Sequence, residues 1–189
     1  MERKPTLELG VDTGGARRIL TIAHEVGAFL TGEFTLTSGK KSNYYIDGKR
    51  ITLYPEGAYE VGKAIFDLLR EVGIDAIGGV ATGAYPMVTA VALVSHLEGK
   101  PIPSFIVREV TKGHGTKRQI EGHLKPSSRV AIVDDVLTTG GSVSKAIEAV
   151  KEAQCKVAKV IVLVDRCEGG SDRLKKEEYD FTALLSVIH

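Results

Sequence analysis

Arg129-Val130-Ala131-Ile132-Val133-Asp134-Asp135-Val136-Leu137-Thr138-Thr139-Gly140-Gly141-Ser142 is the stretch that decides the fold. Val130 to Val133 is a short β-favouring run bounded by polar residues, which suits a strand buried on both faces of a parallel sheet. Beyond it, Val143, Ala146, Ile147, Val150 and Ala153 recur at helical spacing, so a helix is predicted to begin near Ser142. Between strand and helix, Thr138, Thr139, Gly140, Gly141 and Ser142 offer hydroxyls and unobstructed backbone N–H groups. At a helix N-terminus, where the dipole is positive and the first N–H groups lack partners, such a loop makes a phosphate pocket.

The two acids narrow the chemistry. Asp134 and Asp135 are expected at the carboxyl end of the strand, where doubly wound sheets hold their ligands. The loop carries neither the lysine of GxxxxGK[ST] nor the spacing GxGxxG, so it is neither a P-loop nor a dinucleotide fingerprint. Two carboxylates beside a phosphate suit a ribose: they accept hydrogen bonds from its 2- and 3-hydroxyls and balance positive charge at its anomeric carbon. A lone Asp-Asp pair reads equally well as a turn whose carboxylates cap backbone groups. The whole string resembles the phosphoribosyl-diphosphate (PRPP) binding motif of type I phosphoribosyltransferases.

Composition sets outer limits. The chain has 189 residues, enough for one domain with a full core. Its 25 basic and 24 acidic residues nearly cancel, so no global field favours nucleic acid or an anionic membrane. Cys155 and Cys167 form no CxxC pair and no metal-ligand spacing, which points to structural thiols in a reducing compartment. The N-terminus is charged from Glu2 to Lys4 without an apolar signal core, and no apolar run approaches ~18 residues. A soluble cytoplasmic protein is the expectation.

Outward from the central stretch, strand and helix signals alternate. Residues 1–12 show no clear period and read as a lead-in. Asp12 or Thr13 is a cap for a helix carrying Ile19, Ile22, Ala23, Val26, Phe29 and Leu30 on one face. Phe34/Leu36 and Tyr44/Ile46 alternate with polar residues around Ser38-Gly39, which predicts a β-hairpin placed as a small hood. A helix is predicted from about Pro55 to Val72, with Val61, Ile65, Leu68 and Leu69 inward. Ala76 to Val80 follows as a strand. Ala81 to Tyr85 reads better as a plain βα connection than as a binding loop. The helix from Pro86 to about Leu97 is apolar on most sides, implying deep burial or a subunit contact.

Ser104 to Val107 leads as a strand into Arg108 to Gln119, a basic, glycine-punctuated segment. Such a segment is either a solvated charge run or a lid. The lid is preferred, because Lys112 and His114 flank the hinge-capable Gly113 and supply the donors that a diphosphate leaving group needs. Ile120 to Gly122 reads as a short strand. Val157 to Val164 is a further buried strand ending at Asp165-Arg166, where a planar guanidinium suits a carboxylate or imide edge, or else a loop salt bridge. A helix from Ser171 to Glu178 and a strand near Phe181 to Ile188 complete the pattern, which implies a parallel sheet with right-handed crossovers.

From about Ile19 to Val187 the chain is similar to the orotate phosphoribosyltransferases. The hood segment Phe34 to Asp47, the Arg108-to-Gly115 lid and the strand-end Asp165-Arg166 carry this narrower resemblance. It implies an α/β protein with the type I phosphoribosyltransferase fold: a central parallel β-sheet flanked by helices, with a small N-terminal hood and a flexible catalytic loop. One domain of residues 1–189 is expected, with the hood mainly in about 13–50 and the core in about 51–189. The resemblance also implies PRPP and orotate as substrates, Mg²⁺ as cofactor with no protein ligand assigned, and a homodimer sharing its catalytic loops. By the same resemblance Asp134 and Asp135 hold the ribose hydroxyls. Thr138, Thr139, Gly140, Gly141 and Ser142 cradle the 5-phosphate, and Val136 and Leu137 join them in binding PRPP. Arg108, Lys112 and His114 serve the diphosphate, with Lys112 and His114 catalytic alongside the two acids, and Thr138 and Arg166 contact orotate.

Two positions depart from the family pattern. Glu109 stands where lysine usually follows the lid arginine. A carboxylate there repels diphosphate, so its side chain must turn away or lower affinity. Thr37 stands where the hood often has lysine, although Lys40 and Lys41 are close. Two competing readings remain: transfer to another base, and a PRPP-binding regulator with weak or no catalysis. Arg166 and the hood count against the first. The near-neutral composition, without a basic helix-turn-helix, counts against the second.

Overall fold

The computed structural model describes residues 4–35, 39, 41–108 and 119–189. Its main sheet has seven strands: β1 (Thr6–Leu9), β4 (Ala76–Val80), β5 (Ser104–Val107), β6 (Ile120–Gly122), β7 (Arg129–Leu137), β8 (Lys156–Asp165) and β9 (Phe181–Ile188). Their order is β1-β9-β8-β7-β4-β5-β6. The five inner strands are parallel, as the repeated strand-helix order predicts. The edges depart from that expectation: β6 runs antiparallel to β5, and β1 antiparallel to β9 with Thr6 opposite Ile188 and Leu9 opposite Leu185. The supposed lead-in is therefore partly an edge strand. It buries a single side chain, Leu7, which is too little for a periodic signal.

A parallel sheet is covered on both faces. In β7 alternate side chains go to different cores: Ala131 and Val133 pack on the side of α1 (Gly14–Glu25), α3 (Pro55–Leu69) and α4 (Ala84–Leu97). Val130 and Ile132 pack on the side of α5 (Gly141–Glu152) and α6 (Gly170–Lys176). The strand period of two thus sets where every residue further along β7 points.

The helices follow the predicted faces with adjusted ends. Thr13 caps α1 by accepting the Ala16 N–H at 3.1 Å. The helix stops before Gly27, whose φ of +63° suits glycine, so Phe29 and Leu30 leave the predicted helical face. They begin β2 (Phe29–Thr35), which pairs with β3 (Lys41–Ile46) as the expected hood hairpin. Tyr44 and Ile46 are its buried residues. A short helix absent from the sequence reading, α2 (Lys49–Thr52), joins the hood to α3. Pro55 starts α3, which ends at Leu69 rather than Val72; α4 starts at Ala84, two residues before Pro86. Met87, Val88, Val91 and Val94 of α4 are buried, but Leu93 and Leu97 are 60% and 73% exposed.

Chain direction across the sheet reverses between β4 and β7: from β4 the chain moves to β5 and β6, then returns to the other side of β4 and continues through β8 and β9. Ligands of open α/β sheets bind beyond the strand ends at such a switch point.

Candidate active site

The acids stand at that switch point, inside β7 rather than after it, because the strand runs on to Leu137. Alternation sends them to opposite faces. Asp134 follows Val130 and Ile132 toward α5, while Asp135 follows Ala131 and Val133 toward the hood side. Each is only 8% exposed. Asp134 Oδ1 accepts the Asp135 N–H at 3.0 Å, and Asp135 Oδ1 accepts the Val136 N–H at 3.0 Å. The backbone-capping role is thus real. On Asp135 the other oxygen, Oδ2, accepts from Lys49 Nζ at 3.0 Å.

Two buried carboxylates in sequence cannot both ionise freely. Burial first, and then the charge of Asp135, push the Asp134 carboxyl up to about 7, against a smaller pull from Lys49. For Lys49, burial alone would lower the ammonium pKa, but the Asp135 bond and the surrounding carboxylates outweigh it and raise the value. The site therefore holds one lysine-paired carboxylate, Asp135, and one, Asp134, that titrates near neutrality.

The loop that reads as a plain connection is a wall of this site. Gly83, between β4 and α4, lies directly on the acids: a Cβ there would overlap Asp135 Oδ1 and lie 2.7 Å from Asp135 Cγ and 3.2 Å from Asp134 Oδ1. The Ala81–Thr82 peptide is cis. Gly48 closes the other side, its would-be Cβ 3.0 Å from Asp135 Cβ. Both glycines are needed for close approach rather than for unusual backbone angles.

On the α5 side, a cavity of about 230 Å³ is lined by Asp134, Val136, Leu137, Thr138, Thr139, Gly140, Gly141, Ser142 and Lys145. Gly140 takes φ +84°, the left-handed turn that lets the loop reverse into α5. The Gly170 N–H braces it from below through Thr138 O at 3.0 Å, and Arg173 Nη2 donates to Gly140 O at 3.3 Å. Lys145 adds a cation one turn into the helix.

Arg166 enters the neighbouring position, its N–H donating to Leu137 O at 3.0 Å. Its side chain is buried. Nε donates to Tyr44 Oη at 2.8 Å, and Nη2 pairs with Glu168 Oε1 at 2.8 Å. The guanidinium carbon lies 4.6 Å from the Tyr44 ring centroid. Burial raises the Tyr44 phenol pKa, with Arg166 opposing.

Of the predicted diphosphate group, Arg108 pairs with Glu121 at 2.7 Å across the β5–β6 hairpin. Lys112, His114 and Glu109, like Thr37, lie outside the described residues. The structure thus brings Asp134, Asp135, Val136 to Ser142 and Arg166 to one end of the sheet. The sequence reading missed Lys49, Gly83, Lys145, Tyr44 and Glu168. Only Lys145 carried a local signal, at helical spacing three residues after Ser142.

Paired strand-end acids, a hydroxyl-glycine loop and a helix mouth at a sheet switch point define a phosphoribosyl transferase domain, and the family of that description matches residues 47–187. An orotate phosphoribosyltransferase of Aquifex aeolicus is 50% identical over 154 residues, 82% of this chain and 84% of the relative. Another, from Methanocaldococcus jannaschii, is 43% identical over 170 residues, covering 90% and 93%. The crystal structure of Mycobacterium tuberculosis orotate phosphoribosyltransferase in complex with PRPP is similar at TM-score 0.74 and 28% identity, over 91% of this chain and 95% of that one. The chain belongs to the orotate phosphoribosyltransferase family.

Proposed function

We propose that the protein transfers the 5-phosphoribosyl group from PRPP to orotate, giving orotidine 5′-monophosphate and diphosphate, a step of pyrimidine biosynthesis. The observation that carries this reading is Asp134 in the wall of the Thr138–Ser142 cavity, with Asp135 next to it on the other face of β7 and Arg166 on the adjoining strand end. The orotate N1 anion forms the bond to the anomeric carbon, and the electron pair of the breaking C–O bond leaves with diphosphate. No protein nucleophile is required, so catalysis is positioning and electrostatics.

In this reading the Asp134 and Asp135 carboxylates accept from the ribose hydroxyls and offset the charge of an oxocarbenium-like transition state. Residues 136–142 and Lys145 receive the 5-phosphate. Thr138 and Arg166 hold the base. Arg108, Lys112 and His114 neutralise the departing diphosphate.

The donor set suits Mg²⁺: hard carboxylate oxygens line the ribose position, and among the described residues no cluster of three or more metal-ligating side chains competes for the ion. Substrate oxygens and water would hold most of its coordination, with Asp134 and Asp135 around them. Bound with PRPP, the ion neutralises diphosphate charge and improves the leaving group.

The whole chain acts as one domain, with the hood in about 13–50 and the core in about 51–189. It acts as a homodimer whose catalytic loops are shared. A second copy is favoured by an exposed apolar groove of about 590 Å³ between α3 and α4, where Leu53, Tyr59, Leu93 and Leu97 are solvent-facing. The cytoplasm fits two free cysteines, and among the described residues no helix is long and apolar enough to cross a membrane.

Loss of orotate absorbance in the presence of PRPP and Mg²⁺, and not without PRPP, tests the activity. Lys112→Ala should cut turnover while PRPP binding largely survives. Full turnover in that variant would remove Lys112 from the mechanism.

A further inference from the structure

The base position is tied to the hood by a closed triangle of three side chains. Arg166 Nε donates to Tyr44 Oη at 2.8 Å, Arg166 Nη2 pairs with Glu168 Oε1 at 2.8 Å, and Tyr44 Oη donates to the same Glu168 oxygen at 3.4 Å. A guanidinium has five N–H donors in a rigid planar fork. Nε donates to Tyr44, and Nη2 on the same side of the fork is ion-paired with Glu168. Among the described residues the Nη1 protons on the other side make no hydrogen bond.

The planar fork turns this division into orientation. With Tyr44 and Glu168 holding one edge and the Tyr44 ring lying under the guanidinium carbon, the side chain cannot rotate about its last bonds without breaking both contacts. Tyr44 is itself immobilised: it is buried, its ring is 5.7 Å from that of Phe29, and it belongs to β3 of the hood. Glu168 follows Arg166 by two residues at the end of β8. One anchor therefore comes from the hood and one from the core.

We infer that Tyr44 and Glu168 are positioning residues for the base: they clamp one edge of Arg166 so that its other edge meets the polar rim of a carboxylated pyrimidine. This rests on the reading of Arg166 as the orotate contact. It makes base recognition depend on the hood being seated, since Tyr44 reaches Arg166 across 122 residues of chain.

The test measures kcat and KM for both substrates in four variants, with melting temperature as a folding control. Arg166→Ala comes first. If it leaves KM for orotate unchanged, the assignment of Arg166 to the base fails, and the clamp with it. If it raises that KM, Glu168→Ala and Tyr44→Phe decide the inference itself. Each should raise KM for orotate by about tenfold, the size expected when a charged group loses a hydrogen-bonded or ion-paired partner. KM for PRPP and the melting temperature should stay near wild type. Glu168→Gln, which keeps an acceptor at the same place, should return KM to within about threefold of wild type. A fall in KM for orotate in Glu168→Ala would mean that Glu168 competes with the base, overturning the inference. So would unchanged orotate parameters, or a loss shared equally by both substrates. Should Glu168→Ala fail to fold, Glu168→Gln and Tyr44→Phe carry the same decision, Tyr44→Phe being the one expected to weaken orotate.

Discussion

Replacing Gly83 by alanine tests the carboxylate site with the smallest possible side chain. The residue has φ −61° and ψ −37°, ordinary helical values, so alanine adds no backbone strain. The whole effect is steric. The new Cβ would lie 2.7 Å from Asp135 Cγ, whereas non-bonded carbons rest at about 3.5–4.0 Å, so the carboxylate or the loop must move by roughly 1 Å. Asp135 is held at both oxygens, by the Val136 N–H and by Lys49 Nζ, each at 3.0 Å. Breaking or stretching those two bonds costs about 1–3 kcal/mol, and alanine's lower unfolded-state entropy returns about 0.4–1 kcal/mol. The fold should therefore survive with a modestly lower melting temperature. Turnover should not: misplacing catalytic groups by this distance costs on the order of 100-fold. Diphosphate release at saturating orotate, with PRPP varied, is the assay, and thermal melting is the control. If Gly83→Ala keeps kcat/KM for PRPP within about threefold of wild type, the loop is not a wall of the site.

Asp134 and the α4 face give two further predictions. The folded-state pKa of Asp134, about 7, lies above the ordinary carboxylate value of 3.8, so the folded chain binds that proton more tightly than the unfolded chain does. Stability attributable to this group is therefore present below about pH 4 and is lost as pH rises toward about 7. Asp134→Asn should melt above wild type at about pH 8, with the difference closing near about pH 4, and should lose PRPP turnover. A difference in melting temperature that does not change with pH would contradict the proposed burial effect. Leu93→Asp should leave the monomer fold intact, because this side chain is exposed, but shift sedimentation toward monomers and reduce activity if loops are shared. An unchanged dimer would move the interface elsewhere.

Much of the site was legible because its parts are contiguous. Strand, acids, loop and helix mouth occupy fourteen consecutive positions, and each announces itself through local periodicity, hydroxyls or glycine. The apolar faces of α1, α3 and α5 followed from the same logic, since helical spacing is written in neighbouring residues. Ends were less legible: whether Phe29 closes a helix or opens a strand depends on the positive φ at Gly27, and glycine permits either.

Composition and pattern by themselves determined a hydroxyl- and glycine-rich loop between a buried strand with paired acids and a helix, and a parallel core. Only the tertiary structure decided that both edges of the sheet run backwards, that Gly83 presses on Asp135, and that Lys49 and Tyr44 arrive from the hood to hold Asp135 and Arg166. Those partners are separated by 52, 86 and 122 residues of chain (135 − 83 = 52). No period spans such distances. They meet because the strand order reverses between β4 and β7, which brings their loops to one end of the sheet, and because the hood hairpin folds over it.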